Sequence, residues 1–513
     1  MSARSASTPA GEGRRGGKRS GLATRPGRTR PTSGAAPRAA RSFCAQGELA
    51  RASTHYRGSS VTEPRSTVLS DEERKRRRGL ARELVNAALA AVDPAKAVRK
   101  YLKREGDTLS VGGRSYDLRK YKRILVVGGG KASAPMAQAV EEILGDRLTA
   151  GIINVKYGYT APTRIVEINQ AGHPIPDEKG VAGAARMAEL LRDTTPEDLV
   201  IALISGGGSA LMVLPVPGIS LNDKRRLTDA MLRSGANINE MNAVRKHLSG
   251  IKGGGLAKLA YPADLITLML SDVIGSPLDV IASGPTVPDT STFADAWRVL
   301  ESHDLVDELP PSIAARLKAG LAGEIPDTPK PGDPVFAKAC NVVISSNEIA
   351  AAATVQRARE LGMNTLLLST FVEGEAREVA RVYAAIAKEI IASGNPIPRP
   401  ACVVAGGETT VNVRGKGLGG RNQELALAAG VYLNGYPDAM ILALGTDGSD
   451  GPTDAAGGIG DGETVLRAKQ LGLDPLKYLS NNDSYHFLQQ TGDLIVTGPT
   501  NTNVNDLSFI LVF

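Results

Sequence analysis

Residues 123–131 read Arg-Ile-Leu-Val-Val-Gly-Gly-Gly-Lys. An apolar run of strand type ends in a glycine turn, and the apolar-periodic pattern over 132–144 continues it as a helix. Lys131 therefore sits where the helix opens, next to a dipole that already presents positive charge. A cation is unfavourable there unless an anion lies nearby, so the position points to a phosphate or carboxylate ligand. Residues 417–424, Gly-Leu-Gly-Gly-Arg-Asn-Gln-Glu, repeat the arrangement with Arg421 opening a helix and Asn422 beside it.

The same alternation extends outward. Strand-like runs at 149–155, 164–168, 198–204 and 264–270 are interleaved with helical patterns at 178–193, 221–235, 240–249 and 293–302, which predicts a doubly wound, Rossmann-like α/β domain. Ser70 with three following acids predicts the first helix, burying Leu80, Leu84, Ala88 and Leu89. Gly323–Pro334 holds four prolines and reads as a linker. Beyond it, strands near 341–345, 364–369, 400–405, 409–413, 440–444 and 507–513, with helices near 347–361, 375–393 and 421–433, predict a second α/β domain. The resulting division is 71–322, a linker at 323–334, and 335–513, with mainly parallel sheets. Glycine loops at the carboxyl ends of the strands place a site in the cleft between the halves.

The formal charge of +7 over 513 residues is concentrated at one end. Residues 1–70 carry 13 Lys/Arg against 3 Asp/Glu, whereas the other 443 carry 48 against 51. The folded part is nearly neutral, so nucleic acid is not an expected partner. The basic tail, rich in Arg, Ser, Ala, Gly and Pro, reads as a disordered extension, with an organelle transit segment as the alternative to a cytoplasmic protein. No apolar run approaches the ~20 residues of a membrane span. Cys44, Cys340 and Cys402 lack the spacing of a disulfide framework or a zinc site. Oligomeric state is open, with a homodimer as one option.

The first turn, including Gly129 and Gly130, fails both familiar phosphate signatures. Leu125 and Ala132 break the P-loop pattern. Ser133 replaces the third glycine of the dinucleotide fingerprint, and no acid follows the next strand at Val155-Lys156-Tyr157. A second turn, Ser205-Gly206-Gly207-Gly208-Ser209, closes the run 199–204 and would direct amides and hydroxyls at an anion. Carboxylates recur beside such turns: Asp272, Glu408, and Asp447 with Asp450 each follow a strand. Such a group can hold Mg²⁺ or take a proton from a hydroxyl, and phosphoryl transfer needs both. Arg245 and Lys246 fall on a helix, His173 ahead of one, and Thr497–Asp506 forms a polar loop before the last strand.

Together, Val-Val-Gly-Gly-Gly-Lys-Ala-Ser, Ala-Gly-His-Pro-Ile-Pro-Asp-Glu, Ser-Gly-Gly-Gly-Ser-Ala, Asn-Ala-Val-Arg-Lys-His-Leu-Ser, Ile-Ala-Ser-Gly-Pro-Thr, Gly-Gly-Arg-Asn-Gln-Glu and Thr-Asp-Gly-Ser-Asp-Gly-Pro-Thr-Asp resemble the class II glycerate kinases. The likeness runs from about residue 75 to the end, with a C-terminal region of the MOFRL type at about 400–508. The resemblance implies ATP-dependent phosphorylation of D-glycerate to 2-phosphoglycerate with Mg²⁺. Hydroxypyruvate reductase with NAD(P)H is the alternative, since family members also carry that name. The family's emphasised lysine and arginine fall on Lys131 and Arg421. Two departures stand out: Ser276 where many members have aspartate, and Asn501 where glycine is usual. On this reading Lys131 and Arg421 act on the phosphoryl group or the glycerate carboxylate, each contributing ~3 kcal/mol or more to the transition state. Ser205–Ser209 cradle nucleotide phosphates, with Gly129 and Gly130. Asp272, Asp447 and Asp450 share the base and metal roles, and Glu408, Asn422 and Arg245 complete the substrate site. Alanine at Lys131 or Arg421 is expected to lower turnover far more than stability.

Overall fold

Six parallel strands make the first sheet in a computed structural model that describes residues 68–513. The basic segment up to residue 67, with the tail readings and Cys44, lies outside the described residues. A small antiparallel sheet, β1 (Lys103–Glu105), β2 (Thr108–Val111) and β3 (Arg114–Asp117), precedes it. The strands β4 (Arg123–Gly129), β5 (Ala150–Lys156), β6 (Val166–Ala171), β7 (Asp198–Ile204), β8 (Asp264–Leu270) and β9 (Ala339–Ser345) then pair in the order β6-β5-β4-β7-β8-β9. All seven residues of β7 are buried, as expected for a parallel strand covered by helices on both faces. The chain leaves β4 for β5 on one side and returns as β7 on the other, so the topological switch point lies outside the carboxyl ends of β4 and β7. Both glycine turns fall there.

The second sheet comprises β10 (Asn364–Val372), β11 (Ala401–Gly407), β12 (Ala439–Gly445), β13 (Gly457–Asp461), β14 (Leu494–Ile495) and β15 (Asp506–Val512), ordered β10-β11-β15-β12-β13-β14. The α/β class holds, but here the parallel expectation needs correction: only β10 and β11 pair in parallel. Apolar runs carry no direction, and β15 inserts antiparallel between β11 and β12. Its first residue, Asp506, consequently pairs with both Gly407 and Gly445, so one amino end joins two carboxyl ends.

Three other placements differ from the sequence expectation. The strand at Ala339–Ser345 forms the edge of the first sheet, paired with β8, instead of opening the second. The helix Asp71–Ala91 begins as expected, with Ser70 accepting from the Glu73 amide at 3.2 Å, yet it is fastened to the C-terminal half. Its Arg77 donates to the Pro437 carbonyl at 2.8 Å, and Arg74 pairs with Glu463 at 3.0 Å. Residues 409–413 form no strand; Thr410 makes a lone bridge to Glu375. One apolar core runs from Leu84 and Ala88 through Val126, Leu268 and Ile344 to Val404, Leu442 and Phe509, joining the two sheets. Among the described residues no helix is long and apolar enough to cross a membrane.

The two glycine turns are fused. Gly130 has φ +147°, and a Cβ there would stand 2.1 Å from Ser205 Oγ and 2.5 Å from its carbonyl oxygen. Gly130→Ala is expected to cost about 2–4 kcal/mol in chemical denaturation. A loss below about 1 kcal/mol would show that the turns separate freely.

Candidate active site

The carboxyl ends of β4, β8, β11 and β12 and the amino end of β15 surround a polar cavity of about 310 Å³. Lys131 and Asp272 enter from the first sheet; Glu408, Arg421, Asp447 and Asp506 enter from the second. Most of the acids and cations expected from sequence thus converge, although their strands lie far apart in the chain.

Both cations are already paired. Lys131 Nζ lies 3.1 Å from Asp447 Oδ2 and ties the two halves across the cleft. Arg421 engages Asp506 in a bidentate pair at 2.5 and 3.0 Å and reaches Glu408 at 2.9 Å. Asp506 is only 5% exposed. Burial pushes its carboxyl up to about 6 even with Arg421 opposing the shift. Arg421→Ala carries a stability cost besides the expected loss of turnover, since the variant strands a buried carboxylate. We predict a loss of about 3–5 kcal/mol by denaturation, largely recovered when Asp506 is replaced by Asn in the same chain. Additive losses in the double variant would contradict the pairing.

Asp272 closes β8 and faces the second glycine turn. A Cβ on Gly206 would meet Asp272 Oδ2 at 2.4 Å, so only glycine lets the carboxylate lie against the turn. Burial pushes Asp272 up to about 6, with Lys131 and the Gly207 amide pulling down and Glu408 pushing up. Asn503 Nδ2 approaches it at 3.5 Å. The His173 ring packs on Gly207, where burial and the charges of Lys131 and Lys156 lower it to about 4. This imidazole is neutral at physiological pH.

Several expected ligands turn inward. The first turn spends its amides internally: Gly130 donates to the Asn154 carbonyl at 3.0 Å, Lys131 to that of Gly206 at 2.8 Å, and Ala132 to Ser205 Oγ at 3.0 Å. Gly129 and Gly130 therefore position Lys131 and offer no phosphate cradle, and Ser205 is a buried tie between turns. In the second turn the Gly206 amide has no hydrogen-bond partner among the described residues, while Gly208 donates to the Ser205 carbonyl at 3.1 Å. Asp450 accepts from the amides of Asn422 at 3.2 Å and Gln423 at 2.8 Å. It caps the helix Arg421–Tyr432, which corrects its expected role as a metal ligand. Asn422, 2% exposed, gives its side-chain amide to the same carboxylate at 3.2 Å and does not face the cavity. Asp447 keeps an Asx-type bond from the Ser449 amide at 3.0 Å while its other oxygen meets Lys131. Arg245 lies outside the cavity, on the helix Ile238–His247.

The sequence marks the loop Thr497–Asp506 as one that either donates hydrogen bonds to a ligand or turns the chain, without singling out Asn503, Asn505 and Asp506, which line the cavity. They sit in the polar loop before β15, but strand carboxyl ends were the guide and β15 enters by its amino end. Asn505 Nδ2 holds Glu408 at 2.9 Å. Of the two departures, Asn501 adopts φ +56°, the left-handed conformation glycine supplies and asparagine tolerates. Ser276 lines a separate groove with Val273 and Phe371.

An α/β protein whose two sheets turn their strand ends onto one charged cavity is the class that fold and site define. The domain of unknown function DUF4147 matches residues 80–318, and the MOFRL family matches residues 401–506. A Pyrococcus horikoshii protein named glycerate 2-kinase is 42% identical over 436 residues, covering 85% of this chain and 97% of that one. The crystal structure of a glycerate kinase from Thermotoga maritima superposes with a TM-score of 0.77 at 41% identity, covering 86% of this chain and all of that one. An Agrobacterium vitis relative, 42% identical over 437 residues and covering 85% of this chain and 94% of that one, carries hydroxypyruvate reductase as a provisional name. The chain belongs to the glycerate kinase family.

Proposed function

We infer that this chain is a glycerate kinase that transfers a phosphoryl group from ATP to the 2-hydroxyl of D-glycerate. The family relationship supports the reaction. The observation that carries it in the chain's own residues is the charge of the cavity, where two cations meet Asp272, Glu408, Asp447 and Asp506, with the helix-capping Asp450 in the wall, a formal excess of three negative charges.

An anionic nucleotide and an anionic acceptor can meet there only with further positive charge. The hard oxygen donors fit Mg²⁺, which Asp447 with Glu408 would hold. When bound, the ion would neutralise charge on the phosphates. Among the described residues no three His, Cys, Asp or Glu form a ready-made metal cage, which suits an ion arriving with the nucleotide.

Asp272 accepts the proton of the acceptor hydroxyl. Lys131 neutralises charge developing on the transferring group, and the Gly206 amide adds a donor. Arg421 organises Asp506 and Glu408. A nicotinamide reductase is disfavoured because the first turn's amides are consumed internally and β5 ends in Lys156 without a ribose-binding acid.

The test sets ADP release from D-glycerate, ATP and Mg²⁺ beside oxidation of NADH or NADPH with hydroxypyruvate. Turnover only in the first assay is expected. Turnover only in the second would replace the kinase with a reductase.

A further inference from the structure

Beside the second glycine turn, and outside the lining of the acidic cavity, Lys224, Arg245, Lys252 and Arg316 gather with no carboxylate partner among the described residues. Lys252 is 3% exposed and Lys224 9%. Lys252 Nζ donates to the Ser209 carbonyl at 2.7 Å and to Ser209 Oγ at 3.1 Å. Lys224 Nζ donates to the Leu248 carbonyl at 2.9 Å, and Arg316 Nε to that of His247 at 2.8 Å. Arg245, in the last turn of its helix, makes no side-chain hydrogen bond among the described residues. The neighbouring Lys246, by contrast, is neutralised by Asp289 at 3.2 Å. Hydroxyls complete the neighbourhood: Ser209 Oγ lies 2.8 Å from Ser283 Oγ, which donates to Asn242 Oδ1 at 2.9 Å.

Burying one unpaired cation is costly, and burying several that repel one another is more so. Burial and the charges of Arg245 and Arg316 push Lys224 down to about 7. Lys252 falls well below its ordinary value through burial and the charges of Lys224 and Arg245. Such lysines relieve the strain by shedding protons, and an anion from outside the chain would restore their charge and be held by it.

We propose that Lys252 and Arg245, with Ser209 and supported by Lys224 and Arg316, form an oxyanion subsite for a carboxylate or phosphate. The Ser205–Ser209 turn then has two working faces. One turns Gly206 to Asp272 and the chemistry; the other turns Ser209 to the cations and holds the anionic end of a ligand. The proposal rests on the kinase reading only for the ligand's identity, because oxyanion binding is measurable without turnover.

The experiment titrates inorganic phosphate calorimetrically into the full chain and into Lys252→Met and Arg245→Gln, and measures KM for ATP and for D-glycerate in each. Phosphate affinity is expected to fall about tenfold or more in both variants. A rise confined to the ATP KM identifies the anion as a nucleotide phosphate. A rise confined to the glycerate KM identifies the acceptor carboxylate. Phosphate binding that depends on Lys252 in a chain without kinase turnover would uphold the subsite and overturn the kinase. If Lys252→Met does not fold, partly exposed Arg245 carries the test. A folded Arg245→Gln with unchanged phosphate affinity and both KM values unchanged would overturn the proposal.

Discussion

Asp272→Asn is expected to lower turnover by about a hundred- to ten-thousand-fold while leaving the protein at least as stable as the parent. The first effect follows from removing the base that faces the second glycine turn. The second follows from linkage. Asp272 in the fold sits at about 6, against an ordinary value of 3.8, so the folded state binds the proton more tightly than the unfolded chain. The stability associated with that proton is present below pH 3.8 and is lost as pH rises through about 6. At neutral pH the ionised carboxylate costs on the order of 1–3 kcal/mol, and asparagine removes that cost. For the parent enzyme, kcat/KM should rise with pH through a midpoint near 6 and then level. That limb should vanish in the variant. Near-normal turnover, or activity lost only in step with a lower Tm, would remove Asp272 from the role of base.

Lys131→Ala is expected to lower kcat by about a hundred- to a thousandfold, the scale of a preorganised donor aimed at developing charge. Its stability cost should be about 1 kcal/mol, because the Lys131–Asp447 pair keeps partial contact with solvent, at 13% and 15% exposure. The variant should also show its acid limb displaced to higher pH, since Lys131 is the charge that holds Asp272 down. Lys131→Arg should restore the position of that limb more fully than it restores kcat. A displaced limb separates an electrostatic role from simple destabilisation, which would leave the midpoint unmoved. Unchanged kcat in a folded Lys131→Ala would exclude the lysine from the chemistry.

What the sequence reveals depends on whether a feature is local. Strand runs and glycine turns are local, so five of the first sheet's six strands and the individual residues Lys131, Asp272, Glu408, Arg421 and Asp447 are readable, whereas Ala339–Ser345 reads as part of the second half. Direction and pairing partner are not, which concealed the antiparallel β15 and with it Asp506. The glycine-rich β13, Gly457–Asp461, has Ile459 as its one β-branched residue and no aromatic residue, too little to mark a strand. Whether a polar group faces a ligand or its own backbone is likewise a three-dimensional property. Asp450 and Ser205 occupy the positions expected of ligands, yet spend their oxygens on amides and a neighbouring hydroxyl. Lys252 escaped notice because a lysine beside glycines carries no signal until its surroundings show that no acid answers it.

The most direct measurement resolves the product formed by the full chain from D-glycerate, ATP and Mg²⁺. The account predicts ADP and 2-phosphoglycerate in equal amounts, formation of both collapsing together in Asp272→Asn. Formation of 3-phosphoglycerate would contradict the assigned hydroxyl. Absence of any phosphorylated product, with reduced nicotinamide consumed by hydroxypyruvate, would contradict the kinase itself.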